Sequence, residues 1–165
     1  METALGSSGF HSALLGLTGS TVAVGALWDA YRYRIPNALT LMAMLAGLAY
    51  HAGLGPDARG FLFSLGGLFP LLGIGFLLFS QGWLGAGDAK LLGAVGALIG
   101  FDAGLSAFIY ATACGGAWVV LWVTVKSRGM VWFGGLEGLR GQRVPYGFAI
   151  AAGTALALAH PLLGA

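Results

Sequence analysis

Two carboxylates stand where a largely apolar chain turns polar: Asp29, in Trp28-Asp29-Ala30, and Asp88, in Gly85-Ala86-Gly87-Asp88. A carboxylate at a membrane boundary is costly and persists where it has a task. Two at matching depth form a pair that shares a proton and can activate water. Each alone has a structural alternative. Asp29 precedes Arg32 and Arg34 and could be ion-paired with one of them in a loop. Asp88 opens an apolar segment, where a helix N-terminus favours a carboxylate, and could be an ordinary N-cap. Gly85 and Gly87 reduce bulk beside it and leave room for an extended substrate backbone. Helix-end electrostatics divide the labour: Asp88, at a helix start, as the ionised base, and Asp29, at a helix end, as the proton-bearing partner. Arg32 and Arg34 act against that division by favouring an Asp29 anion.

The elements that must position this pair are membrane helices. Of 165 residues, 58% are hydrophobic and 8% charged, against about 25% charged in an average soluble domain. The mean hydropathy is +0.84. The composition excludes a water-soluble enzyme and predicts an all-α, polytopic membrane protein with one domain over 1–165. Thirty glycines are spread through the apolar stretches, as suits membrane helices whose backbones approach closely. Six apolar segments fall at roughly 10–28, 37–54, 60–82, 88–101, 103–125 and 146–163. At ~1.5 Å per residue the fourth spans only ~21 Å of a ~30 Å hydrocarbon core. Asp88 is therefore expected inside the protein. Pro70 is expected to kink the third segment.

Basic residues set the orientation. Arg32, Arg34, Lys90, Lys126, Arg128, Arg140 and Arg143 fall on one side of a six-helix arrangement, and only Arg59 on the other. The 29–36, 83–90 and 126–145 connections are then cytoplasmic and both termini lie outside. Asp29 and Asp88 share the cytoplasmic face. Fusing segments four and five across Asp102 would spoil this asymmetry. No positive n-region precedes segment one, so it is expected to be a retained helix and not a signal peptide.

Smaller features are read as structural. Ala89, Gly93, Gly96 and Gly100 form a small-residue stripe for a neighbouring helix, extended by Gly104. Cys114 is the single cysteine and is expected to be a buried small apolar side chain. His11, His51 and His160 are isolated, and are expected to be packing or interfacial groups. No metal, cofactor or nucleic-acid site is expected. Pro36 ends the preceding loop and can begin a helix, with Asn37 capping or turning the chain. Lys90 has two readings, as support for an Asp88 anion or as a positive-inside anchor. Asp57 and Asp102 fall on the outer side, away from the pair.

Three elements on the cytoplasmic side occur in order: Asp29 before a basic turn ending Ile35-Pro36-Asn37, then Gly85-Ala86-Gly87-Asp88-Ala89-Lys90-Leu91, then Pro145-Tyr146-Gly147 ahead of an Ala/Gly-rich segment. In these the chain resembles the type IV prepilin peptidases and related preflagellin peptidases, membrane aspartic proteases named for a Gly-x-Gly-Asp motif. The resemblance implies Asp29 and Asp88 as the catalytic pair. Gly85, Gly87, Pro36, Asn37, Lys90, Pro145, Tyr146 and Gly147 would shape the site or bind substrate. It implies cleavage of the short basic leader of a pilin-like precursor at the cytoplasmic face of the inner membrane. The long bifunctional members carry two Cys-x-x-Cys pairs and also methylate the new N-terminus. With Cys114 alone, this chain resembles the short form, and no methyltransferase activity is expected.

Two other readings compete. Presenilin-like enzymes share Gly-x-Gly-Asp, but they pair it with Tyr-Asp and Pro-Ala-Leu elements, whereas this chain has Trp28-Asp29 and no Pro-Ala-Leu. A small proton- or cation-coupled transporter would use the same aspartates. It would need them along a route through the membrane, whereas both fall near one face.

Overall fold

The computed structural model describes residues 2–32, 34–53, 59–126, 147–160 and 162, with side chains from residue 12 onward and not for 118–126. Among these all regular structure is helical. The helices are α1 (Glu2–Arg32), α2 (Asn37–Ala52), α3 (Arg59–Ser80), α4 (Ala86–Lys126) and α5 (Gly147–Ala159). Ser12–Arg32, Arg59–Ser80 and Ala86–Ala117 are long and apolar enough to cross a membrane, and Gly147–Ala159 is a shorter apolar helix.

The backbone of α4 reverses. Gly100 leaves helical geometry at φ 81°, ψ −177°, a region open essentially to glycine. Beyond it Gly104 returns against Gly96: a Cβ on Gly104 would lie 3.4 Å from Gly96 Cα. In a continuous helix these residues are ~12 Å apart along the axis. α4 is thus two antiparallel helices joined at Gly100, matching the division between segments four and five. The Gly96, Gly100, Gly104 pattern is correspondingly not one stripe along one helix. Its outer members face each other across the reversal.

A reversal inside a bundle strands carbonyl groups, because residues before the break lose their i+4 donors. Two of these find side chains. Ser64 Oγ donates to Ala97 O at 2.6 Å, and His51 Nε2–H donates to Leu98 O at 2.9 Å. His51 is buried and stacks edge-on against Phe63, whose ring closes over Gly100. It is a packing histidine with a specific task. His160 is exposed and its carbonyl accepts from Tyr110 Oη at 3.0 Å.

The leading half of α4 is the central helix, with residues 91–100 all buried. Its small residues admit neighbours at backbone distance. Gly96 lies against Gly67 of α3 with no room for a Cβ on either. A Cβ on Gly75 would lie 2.8 Å from Ala89 Cα, and one on Gly47 of α2 would lie 2.6 Å from Ala97 O. The trailing half of α4 packs against α5 through Gly153 at Ala107 and Ala111. Large apolar side chains point outward: Met42, Phe69, Phe76 and Leu77 are each more than 60% exposed. A small-residue interior with a Leu/Phe exterior is the packing expected in lipid.

Helix limits differ from those expected at several points. α1 runs to Arg32, so Asp29 lies in its last turn and not beyond it. α3 ends at Ser80, short of 82. α5 ends at Ala159, short of 163. Asn37 is the first helical residue of α2. Pro36 takes the cap position, with its carbonyl accepting from Leu39 and Thr40 N–H and no side chain capping the end.

Candidate active site

Asp29 and Asp88 come together at one end of the bundle, close enough for their charges to act on each other. Both are buried, at 7% and 8% exposure. They arrive on different helices, Asp29 in the last turn of α1 and Asp88 in the first turn of α4. Leu91 fixes that approach by packing under Gly25 one turn below Asp29.

The two glycines of Gly85-Ala86-Gly87-Asp88 have separate steric tasks. Gly85 precedes the first helical residue, and Asp88 occupies the third helical position with its carboxyl folded back on the Gly85 backbone. A Cβ on Gly85 would lie 2.7 Å from Asp88 Oδ2. Asp88 is therefore not the N-cap. It reaches back to the cap, as the distal member of a capping box does. Gly87 faces the loop before α2: a Cβ there would lie 3.1 Å from Ile35 Cβ. Ile35, buried, thereby seats the α1–α2 turn against the start of α4. Sequence reasoning gave Ile35 no role of its own. The signal available was one apolar residue between Arg34 and Pro36.

Among the described residues no arginine pairs with Asp29. Arg32 and Arg34 are exposed. Asp29 Oδ2 instead accepts the Gly147 backbone N–H at 3.0 Å, placing the first residue of α5 on this carboxyl. Gly147 has no room for a side chain, since a Cβ would lie 3.0 Å from Asp29 Cβ and 3.1 Å from Ala26 Cα. A helix N-terminus thus stands at each aspartate. The division of labour argued from Asp29's place at a helix end omitted the second of these. Among the described residues, Asp88 Oδ1 is the buried side-chain oxygen left without a hydrogen-bond partner.

Lys90 Nζ donates to Asn37 Oδ1 at 2.9 Å on the exposed rim. It ties the starts of α2 and α4 and makes no ion pair with Asp88. Pro145 and Tyr146, with Arg128, Arg140, Arg143 and Asp57, lie outside the described residues. Asp102 sits at the far end beside Gly100, exposed, on an open cavity of about 440 Å³ lined by Phe63, Gly66, Pro70 and Phe101. Cys114 is half-buried. Trp28, Tyr31 and Trp83 are exposed around the aspartate end, where amphipathic rings suit a membrane–water interface.

Two buried carboxyls from different helices thus stand at one end of the bundle, with Gly85 and Gly147 leaving no side chain beside them. The family model of the type IV leader peptidase family matches residues 16–120, a span that includes both aspartates. The chain belongs to the type IV leader peptidase family. No curated protein and no solved structure gives a match. As a member of this family it is a leader peptidase-like protease carried in a membrane by apolar helices.

Proposed function

We propose that this protein is a membrane-embedded aspartic endopeptidase that removes the short basic leader from type IV pilin-like precursors at the cytoplasmic face of the inner membrane. The observation that carries this reading is the approach of Asp29 and Asp88, both buried, at the end of the bundle that also bears Arg32, Arg34 and Lys90. With six spans and both termini outside, that end faces the cytoplasm. The chain lacks the paired Cys-x-x-Cys elements of the bifunctional enzymes, so its product leaves unmethylated.

In the reaction one carboxyl of the pair is ionised and the other protonated. The ionised group takes a proton from water as the water oxygen adds to the scissile carbonyl carbon. The protonated group hydrogen-bonds the carbonyl oxygen and transfers its proton to it, giving a neutral gem-diol. Collapse of the diol breaks the C–N bond, and the departing amine takes a proton from the pair. No bond to the enzyme forms. The site lies at the membrane surface, so the precursor's apolar helix can pack along the bundle while its polar leader stays in water. Affinity comes from that helix, because the enzyme's own basic rim repels a basic leader.

The test is cleavage of a co-expressed pilin precursor by wild type, Asp29→Asn and Asp88→Asn, read as a gel shift. The expected result is cleavage by the wild type alone, with both variants accumulating in the membrane. Cleavage at the wild-type rate by either variant would remove that residue from the pair.

A further inference from the structure

We infer that the backbone N–H of Gly147 is a positioning group that fixes Asp29 as the ionised base of the pair and leaves the proton on Asp88. The inference deepens the peptidase reading and rests on it.

The two carboxyls are buried to the same degree, so depth does not distinguish them. The oxygens left over do. Asp29 Oδ2 holds a donor at 3.0 Å from the first residue of α5. A donor directed at a carboxylate favours its charged form, and a helix start adds the field of its aligned peptides. Asp88 also stands at a helix start and accepts the Gly85 backbone N–H, but its Oδ1 is buried with no partner among the described residues. A charged oxygen in that setting is the costlier arrangement, whereas a protonated carboxyl there carries no net charge. When one proton is shared, it resides on Asp88. This reverses the assignment drawn from Asp29's place near the end of α1. The described basic groups at this end do not restore it: Arg32 and Arg34 are exposed and Lys90 is engaged by Asn37.

The geometry has a second consequence. Oδ2 of Asp29 is committed to Gly147, so Oδ1 is the oxygen left to take the proton from water. The orientation of the base is thereby set by α5, a helix that carries neither aspartate. The absence of a side chain at 147 is part of the same device, because a Cβ would press on both Asp29 Cβ and Oδ2.

The experiment has two arms. In the first, wild type and Asp88→Asn are purified in detergent at neutral pH and compared in the infrared at the protonated-carboxyl C=O stretch. The expected result is loss of that band in Asp88→Asn, since the remaining Asp29 is ionised. Persistence of the band there would overturn the assignment. In the second, the amide at 147 is replaced by an ester through glycolic acid incorporation, which removes the N–H and adds no side chain. The expected result is a kcat reduced roughly tenfold or more, an unchanged KM, and an acid limb of the pH–rate profile moved to higher pH. Wild-type kcat with an unmoved limb would overturn the role of Gly147. The infrared arm needs no turnover, so failure to cut any precursor, which would sink the peptidase reading, is told apart from failure of this one.

Discussion

The two ends of the central helix solve opposite problems with the same kinds of groups. At the Gly100 end the reversal of α4 strands carbonyls, and two of them are given side-chain donors, Ala97 O by Ser64 and Leu98 O by His51. At the Asp88 end a buried carboxyl oxygen has no partner among the described residues. Partnerless polar atoms inside proteins are rare and costly, of order 1–3 kcal/mol each. On the proposed reading, the oxygen left open at the near end is the one that meets substrate or water. On the proposed peptidase reading the far end serves stability and the near end chemistry, and substitutions should separate the two.

The largest separation is expected at the near end. Asp29→Asn and Asp88→Asn each lower precursor cleavage by about 10³-fold or more, the loss expected when a general acid or base can no longer exchange its proton. Both keep the detergent melting temperature within a few degrees of the wild type. In Asp29→Asn the amide oxygen still accepts from Gly147, and in Asp88→Asn an amide is cheaper to bury than a carboxyl that ionises. A large fall in melting temperature with either variant would mean that the pair holds the fold together and that the contrast between the ends is false.

Next comes the opposite case, Gly100→Ala. The position has φ +81° and a Cβ would run into the Phe63 ring. Backbone strain and overpacking together cost about 3 kcal/mol or more. The protein should accumulate poorly, and the Cys114 thiol should become reactive at a lower temperature than in the wild type. Normal accumulation and melting would show that the reversal tolerates a side chain and is not the fixed point described above.

Much of this contrast was legible in the sequence, and unevenly so. That the chain is made of apolar helices follows from hydropathy, a local quantity, and so does the placing of Asp29 and Asp88 at helix ends. The division near Asp102 was legible because a continuous helix would have broken the charge asymmetry. Gly100 as the hinge was not, since glycines at spacings of three and four read equally well as a packing stripe. Likewise the partners of Asp29 were hidden. Arg32 and Arg34 are close in sequence, but Gly147 is 118 residues away, and a donor supplied by a backbone N–H leaves no mark of residue type. His51 and Ser64 were invisible for the same reason, because their partners are main-chain carbonyls exposed only by the break. Gly85 and Gly87 were recognisable as clearing space. That one clears it for Asp88 and the other for Ile35 needs coordinates.

A smaller effect is expected from the carbonyl donors at the far end. His51→Ala and Ser64→Ala each leave one buried carbonyl unpaired, for a loss of about 1–3 kcal/mol, and His51→Ala also removes its ring contact with Phe63. Because neither touches the aspartates, kcat of the folded fraction should stay within about twofold of the wild type. Melting curves paired with cleavage rates normalised to folded protein would check this. A tenfold drop in normalised kcat with unchanged melting would place the far end in the chemistry and dissolve the distinction.

The smallest effect concerns the rim, where Lys90 Nζ meets Asn37 Oδ1 at 2.9 Å in an exposed position. The bond joins α2 to α4 directly beside the site, which gives it the look of a catalytic brace. Solvent competes for both partners, however, and the lysine loses rotamer freedom to make the contact, so its net worth is about 0.5–1 kcal/mol. In a double-mutant cycle of Lys90→Met and Asn37→Ala, the coupling in stability should not exceed about 1 kcal/mol, and kcat should change less than about threefold. The seating of the α1–α2 turn rests instead on buried Ile35 against Gly87, which neither substitution disturbs. A coupling several times larger would mean that the rim is closed over the aspartates tightly enough to exclude water. The boundary between chemistry and scaffold would then lie further out than Asp88, at the surface where Lys90 and Asn37 meet.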